Sequence, residues 1–386
     1  MKIVYVIDSL ASKGGAERII SEKMSYLADH FGYDVTVVTC YQPASLPNVY
    51  PISGNVKQLN LCIPYYSQYK VGYPKRLFIK WSYYRRLQHH LREIVKKVNP
   101  NILVGVSYFK ADMLCKIKCK AAKVIEAHEA RLFSLELDGH DSSPFLRTWV
   151  RINGKRYFRN VEKYADVVVT LTQGDAKLWK NAHLVEIIPN FSAMPISRLS
   201  LCSEKRVIAA GRLEWQKGYD LLFEAWKQVE KKHPDWKLDI FGVGRLEKTL
   251  KEQLASSGMK TVTFIPFTPN ISEEYAKSSI CVLSSRFEGF SLVLLEAMRH
   301  GVPGVSFNCP FGPSEVLEDG KCGFIVPVGD VTALANKLCV LIEDELLRKQ
   351  FSTAALERAK IFDVDKIMLR WNKLFEELSL NRSKNI

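Results

Sequence analysis

The sequence predicts an α/β protein made of two doubly wound parallel sheets. Three observations carry this. Short β-branched runs alternate with longer amphipathic stretches along the chain, the pattern of strand–helix–strand units. The runs are rich in Val and Ile, as strands covered on both faces require. The alternation pauses once, near Ile188-Pro189-Asn190-Phe191, and then restarts.

In the first half, Lys2–Ile7, Asp34–Thr39, Ile102–Val106, Val124–Ala127 and Val167–Leu171 read as buried strands. Ala16–Asp29, Arg76–Val98 and Phe145–Tyr164 read as the helices between them. A segment with Pro195 and several serines, ending near Glu204, reads as a linker. Strands resume at Val207–Ala210, Leu238–Phe241, Val262–Ile265, Ile280–Ser284, Val302–Ser306 and Phe324–Val326. Asp365–Leu378 is a lone helix after the second sheet is complete. The expected division is a first domain over 1–190, a linker over 191–204, a second domain over 205–362, and a helix and tail over 363–386. Ligands of such sheets bind at the carboxyl ends of the strands. With two sheets, the expected site is a cleft between the domains.

Composition limits the function classes. In 386 residues, 47% hydrophobic and 25% charged, there is no signature of a disordered chain, a collagen or a disulfide scaffold. No run reaches the roughly 18–20 apolar residues of a membrane span, and Asp8 interrupts the N-terminal run too early for a signal peptide. A cytoplasmic location is therefore expected. The nine cysteines fit it as small reduced hydrophobes. Cys115 and Cys119 lack a second Cys/His pair at zinc spacing. The 55 basic and 41 acidic residues give a net charge of +14. That balance calls for a polyanionic partner: nucleic acid, an anionic membrane surface or phosphorylated small molecules.

Four motifs carry chemistry. Asp8-Ser9-Leu10-Ala11-Ser12-Lys13-Gly14-Gly15-Ala16-Glu17-Arg18 follows the first strand and opens a helix. It is neither a dinucleotide fingerprint nor a P-loop. It reads equally as a site where an anion approaches backbone at a helix N-terminus and as a tight strand–helix turn. Gly211-Arg212-Leu213-Glu214-Trp215-Gln216-Lys217-Gly218 follows the first strand of the second half. Its Arg212 and Lys217 are suited to phosphate, or are solvated basic residues. Ser285-Arg286-Phe287-Glu288-Gly289-Phe290-Ser291 leads into a short helix over Leu292–His300, with Ser291 as N-cap, Gly301 as its stop and Pro303 beyond. Glu296 lies inside that apolar helix and needs a partner, either sugar or ribose hydroxyls or a neighbour such as Arg299. His128, in Ile125-Glu126-Ala127-His128-Glu129-Ala130-Arg131, falls just past a buried strand. It is either a structural histidine or a site residue. Asp363-Val364-Asp365 has a metal-binding look, but its place before the last helix makes Asp365 a cap.

Together these motifs resemble the retaining glycosyltransferases of family 4, over almost the whole chain and in the family's order. Glu288 to Glu296, a Glu-x7-Glu spacing, is the most specific of them. The resemblance implies the GT-B fold: two Rossmann-like domains facing across a cleft, with the C-terminal helix crossing back to the first. It implies a metal-independent hexosyltransferase without a cofactor, whose donor is a nucleotide sugar. Gly15, Arg212 and Lys217 would bind the donor diphosphate. Glu288, Gly289, Phe290, Ser291 and Leu292 would bind the donor sugar, Glu296 the ribose, and Pro266 and Phe267 the base. His128 and Glu288 would be the catalytic pair, with His128 by the sugar's reacting carbon. Two motifs depart from the family. Gly242-Val243-Gly244-Arg245 stands where many members have Gly-Asp-Gly-Pro, and Cys309-Pro310-Phe311-Gly312-Pro313-Ser314-Glu315 lacks a Gly-Gly pair. The second variant resembles members that build bacterial surface polysaccharides from UDP-sugars.

The basic residues cluster. Lys70, Lys75, Arg76, Lys80, Arg85, Arg86, Arg92, Lys96 and Lys97 face the single acid Glu93 between residues 65 and 97. Tyr65, Tyr66, Tyr69, Tyr73, Phe78, Trp81, Tyr83 and Tyr84 are interleaved with them. Arg147, Arg151, Lys155, Arg156 and Arg159 form a second run around Trp149, Tyr157 and Phe158. Such mixtures suit an anionic bilayer, which their place on the acceptor-side domain favours over single-stranded nucleic acid and over a solvated helix face on aromatic core. The expected partners are thus a nucleotide-sugar donor, a lipid-linked or glycan acceptor and the inner face of the cytoplasmic membrane, with nucleic acid excluded. A nucleotide-sugar epimerase on the same fold is the alternative.

Overall fold

The structure is a computed structural model. It describes residues 1–72, 75–107, 110–131 and 144–384. Tyr73 and the side chains of Tyr66, Tyr69, Arg147, Trp149 and Arg151 lie outside the described residues. The chain divides into two compact units, Met1–Ile188 with Asp365–Ile386, and Pro189–Val364.

The first unit is a parallel sheet of β1 (Lys2–Ile7), β2 (Asp34–Thr39), β3 (Lys57–Asn60), β4 (Ile102–Val106), β5 (Ala122–Ala127), β6 (Val167–Thr170) and β7 (Val185–Ile187), in the order β3-β2-β1-β4-β5-β6-β7. One face packs Val4, Val6, Leu103, Ile125 and Val168 under α2 (Lys75–Val98) and α3 (Pro144–Tyr164), through Leu87, Leu91, Val95, Phe158 and Val161. On the other lie α1 (Gly15–Asp29) and the C-terminal helix Val364–Lys384. Tyr26 donates to Asp365 Oδ1 at 2.6 Å and Tyr33 to Asn372 Oδ1 at 2.6 Å, pinning that helix to α1 and its end. Asp365 therefore sits in the helix's first turn, not at the cap position expected for it. β3 and β7 escape the sequence reading because both are short edge strands. β3 is Lys-Gln-Leu-Asn and largely exposed, so it leaves no apolar run.

The second unit is a parallel sheet of β8 (Arg206–Ala210), β9 (Lys237–Phe241), β10 (Val262–Ile265), β11 (Ile280–Leu283), β12 (Gly304–Phe307) and β13 (Gly323–Val326). Its order is β10-β9-β8-β11-β12-β13. Trp226, Leu222 and Val229 of α4 (Tyr219–Lys232) are buried with Val207, Leu238 and Val305 in its core. After α5 (Leu292–Arg299), Gly301 at φ +73° ends the helix as expected. Val302 N–H still bonds Ala297 O at 2.9 Å, so β12 starts at Gly304 and not at Val302.

The segment 191–204 is not a free linker. It belongs to the second unit. Ser200 Oγ donates to Ser278 O at 2.6 Å, and Arg299 Nη1 bonds Ser192 Oγ at 3.1 Å and Met194 O at 2.9 Å. Phe191, Met194 and Cys202 are buried. Its serines read as linker residues; in the fold Ser192 and Ser200 bond backbone groups, including Met194 N–H, Cys202 N–H and Ser278 O.

Candidate active site

In the second unit the strand order reverses between β8 and β11, so their following loops flank the switch point where such sheets bind ligands. These are residues 211–218 and 284–291. They are bound to each other. Ser284 Oγ donates to Lys217 O at 2.9 Å, Arg286 N–H to Gln216 O at 2.8 Å, and Gln216 Nε2 to Phe287 O at 2.9 Å. Arg286 grips Asp220 with two nitrogens, at 2.9 and 2.6 Å. Gly218 has φ +62°, and a Cβ there would stand 2.2 Å from Ser284 O. Only glycine lets the loops approach this closely.

This contact brings Lys217 and Glu288 together. Lys217 Nζ lies 2.7 Å from Glu288 Oε1, and Ser285 Oγ donates to the same oxygen at 2.5 Å. Both side chains are nearly buried, 14% and 8% exposed, so each charge relies on the other. The resemblance divides this pair between diphosphate and sugar; the fold makes it one ionic unit. Ser291 holds the expected N-cap position before α5, but its side chain makes no capping bond. Its Oγ is buried and without a hydrogen-bond partner. A buried orphan hydroxyl costs roughly 1–3 kcal/mol, and this one sits where α5 also presents free N–H groups. Phe290 is buried against Phe362, Gly289 and Leu292 are partly buried, and Arg212 is exposed in the loop.

Glu296 is buried and accepts from Tyr275 OH at 3.1 Å. Pro266 and Phe267 are exposed just past β10. The two departures become readable. Gly242 and Gly244 face the backbone of Gly211 and Leu213, and Arg245 pairs with Glu214 at 2.9 Å. At the other, Phe311 has φ +63° and Gly312 φ +99°. The loop keeps a left-handed pair of residues although one is not glycine, a strain of order 1–3 kcal/mol.

In the first unit α1 begins at Gly15, which is exposed. Ser12 Oγ donates to Glu17 in that first turn. His128 lies past β5, buried, with Nε2 3.1 Å from Glu126 Oε1. Burial pushes its pKa down to about 3, with Lys23 acting the same way. Lys23 is fully buried and paired with Glu126. Sequence reading missed this pair. Only the burial of Lys23 was signalled, since it lies four residues from both Ile19 and Leu27 on the packed face of α1; its partner was not. Among the described residues one group has metal-ligand chemistry, His233, Cys339 and Glu343, with ligand atoms within 4.8 Å. It lies away from both switch-point loops in sequence, and His233 Nε2 is 3.0 Å from Glu343 Oε1.

Known proteins place this architecture. A solved sucrose-phosphate synthase from Thermosynechococcus elongatus matches with TM-score 0.81 and 17% identity, covering 98% of each chain. Anabaena Alr3699/HepE, solved with UDP and glucose, matches with TM-score 0.74 and 19% identity, over 98% of this chain and 100% of that one. The amylovoran biosynthesis glycosyltransferase AmsD of Erwinia amylovora is 28% identical, over 97% of this chain and 99% of its own. A Campylobacter jejuni α-1,4-N-acetyl-D-galactosaminyltransferase, named for its undecaprenol-diphosphate-linked acceptor, is 26% identical over 98% and 99%. The fold is the GT-B architecture of these solved structures, and the relatives matched over almost the whole chain are named glycosyltransferases. More particularly, residues 200–358 match the family model for glycosyl transferases group 1, and the chain carries that domain.

Proposed function

We propose that the chain is a retaining, metal-independent family 4 enzyme. It moves a sugar from a UDP-linked donor to a lipid-linked or polysaccharide acceptor in bacterial surface-glycan synthesis. The observation that carries this is the switch-point cluster: the Lys217–Glu288 pair beside the orphan Ser291 hydroxyl at the start of α5. A carboxylate, a hydroxyl and helix N–H groups suit sugar hydroxyls and phosphate oxygens together. The names of the Erwinia and Campylobacter relatives support the glycan acceptor, and the UDP bound by HepE supports the nucleotide.

In this reading Arg212, Lys217 and the N-terminus of α5 take the charge that develops on the leaving diphosphate. Glu288 and the backbone of Gly289, Phe290, Ser291 and Leu292 hold the sugar. Glu296 takes the ribose, and Pro266 and Phe267 flank the base. Gly15 and His128, on the first unit, keep the roles the resemblance gives them at the diphosphate and the reacting carbon. Configuration is retained by front-side attack, with a donor phosphate oxygen taking the acceptor's proton. The test is nucleotide release from UDP-glucose, UDP-galactose, UDP-N-acetylglucosamine and UDP-N-acetylgalactosamine with undecaprenol-diphosphate-linked acceptors. Turnover of one UDP-sugar with the α-linkage kept is expected. Release of an altered sugar still on UDP would mean an epimerase, and no turnover of any UDP-sugar would remove the UDP reading.

The acceptor is reached at an anionic membrane surface. No described helix is long and apolar enough to cross a membrane. The N-terminal half of α2 nevertheless exposes Leu77, Phe78 and Trp81, with Phe78 69% exposed. Arg85 stacks over Trp81 at 4.9 Å. Apolar groups ringed by cations suit the headgroup boundary of an acidic bilayer. Each cation there contributes about 1 kcal/mol. Charge reversal by Arg85→Glu with Arg86→Glu should lower co-sedimentation with phosphatidylglycerol vesicles by at least about tenfold. Binding that is equal on neutral phosphatidylcholine vesicles, or indifferent to the double variant, would exclude this surface.

A further inference from the structure

Lys23 is an anomaly that glycosyl transfer does not by itself explain. Its side chain is wholly buried on α1, and its ammonium pairs with Glu126 of β5. The ammonium also lies over the indole of Trp371, 3.8 Å from the ring centroid, and 5.7 Å from the ring of Tyr5. Glu126 Oε1 in turn meets His128 Nε2 at 3.1 Å. The side chains of Lys23, Glu126 and His128 are at most 2% exposed. A buried ion pair of this kind adds little net stability over apolar residues of the same volume, so folding alone does not account for it.

The chemistry of the cluster fixes a direction. His128 is uncharged near neutral pH because burial and Lys23 hold its pKa down, against Glu17 and Glu129. A neutral imidazole has one N–H, and an ionised carboxylate only accepts. The proton therefore sits on Nε2, facing Glu126, and the lone pair sits on Nδ1. Nδ1 is buried and has no hydrogen-bond partner. We infer that Lys23 and Glu126 are positioning residues that hold His128 in its Nε2–H tautomer and keep Nδ1 as a hydrogen-bond acceptor for a substrate hydroxyl at the end of β5. Lys23 lies against the same carboxylate oxygen that meets the imidazole, so the pairing leaves Glu126 to act as the acceptor. Trp371, from the C-terminal helix, seals the pair from water.

The identity of the hydroxyl rests on the proposed transferase reading; the tautomer does not. The full chain, labelled with 15N-histidine and assigned with His128→Gln, reports the tautomer by imidazole nitrogen shifts without substrate. Wild type should show Nε2–H from pH 5 to 8, with no titration. Lys23→Met leaves Glu126 a buried acid whose near partner is the imidazole. His128 should then take up a proton in the acidic part of that range. Nucleotide release from the UDP-sugar turned over in the donor panel should fall about 10- to 100-fold at pH 6 and recover as the pH rises. Glu126→Gln keeps the volume and remains informative if Lys23→Met does not fold. Its amide can accept or donate, so both tautomers should appear. An Nδ1–H or imidazolium form in wild type overturns the inference. So does a Lys23→Met protein that shifts only its melting temperature, or a Glu126→Gln protein with an unchanged tautomer.

Discussion

If Glu288 holds the donor sugar as proposed, Glu288→Gln should lower kcat by about 100-fold or more, the scale on which loss of one preorganised polar group at a reacting centre is felt. The substitution keeps shape and removes charge. Oε1 of Glu288 is held between Lys217 Nζ and Ser285 Oγ, so the glutamine stays in place but no longer neutralises the lysine. A carboxylate accepts two sugar hydroxyls; an amide accepts at only one atom. Stability falls too, by roughly 1–3 kcal/mol, because Lys217 is left short of a partner in a largely buried setting. The two effects separate in a double-mutant cycle. Lys217→Met combined with Glu288→Gln should regain melting temperature and remain inactive. Wild-type kcat/KM in the Glu288→Gln protein would remove the residue from the chemistry.

Gly242→Ala should destabilise the second unit by roughly 2–4 kcal/mol, a drop in Tm of about 5–15 °C. Gly242 has φ +155°, and a Cβ there would stand 1.9 Å from Gly211 O. Two penalties coincide, a disfavoured backbone and a collision with a backbone atom that cannot move aside. Gly211 N–H to Phe241 O at 2.9 Å and Leu213 N–H to Val243 O at 3.0 Å run through the same crossing, so relief costs hydrogen bonds. Gly258→Ala is the control. Its φ is +76° with nothing within 4 Å, so it should cost only about 1 kcal/mol. Equal melting temperatures for the two variants would show that the crossing carries no strain. Because the displaced loop carries Arg212 and Lys217, donor binding should weaken in Gly242→Ala even below its melting point.

What could be read without coordinates followed periodicity and burial. β1, β2 and β4 are Val- and Ile-rich, almost wholly buried runs, and their observed bounds equal the expected ones. Such runs record that both faces are covered. β7 left no such record because Val185-Glu186-Ile187 is a half-buried edge. Motif order located the loops at the switch point, but it treated Lys217 and Glu288 as separate binders. Residues 71 positions apart reveal their pairing only when β8 and β11 lie side by side.

The amino-acid sequence determined the two parallel sheets, the loops that carry polar groups, and the glycines that permit close passage. All are local properties: propensity, spacing and the absence of a Cβ. The tertiary structure alone decided which charges neutralise which. It tied the expected linker to the second unit and left Ser291 Oγ without a partner. It also buried Lys23 beside Glu126 and beneath Trp371, from a helix more than 300 positions away. A charge in a low-dielectric interior depends on every group packed around it. Those groups come from distant parts of the chain, so no spacing along it could have named them.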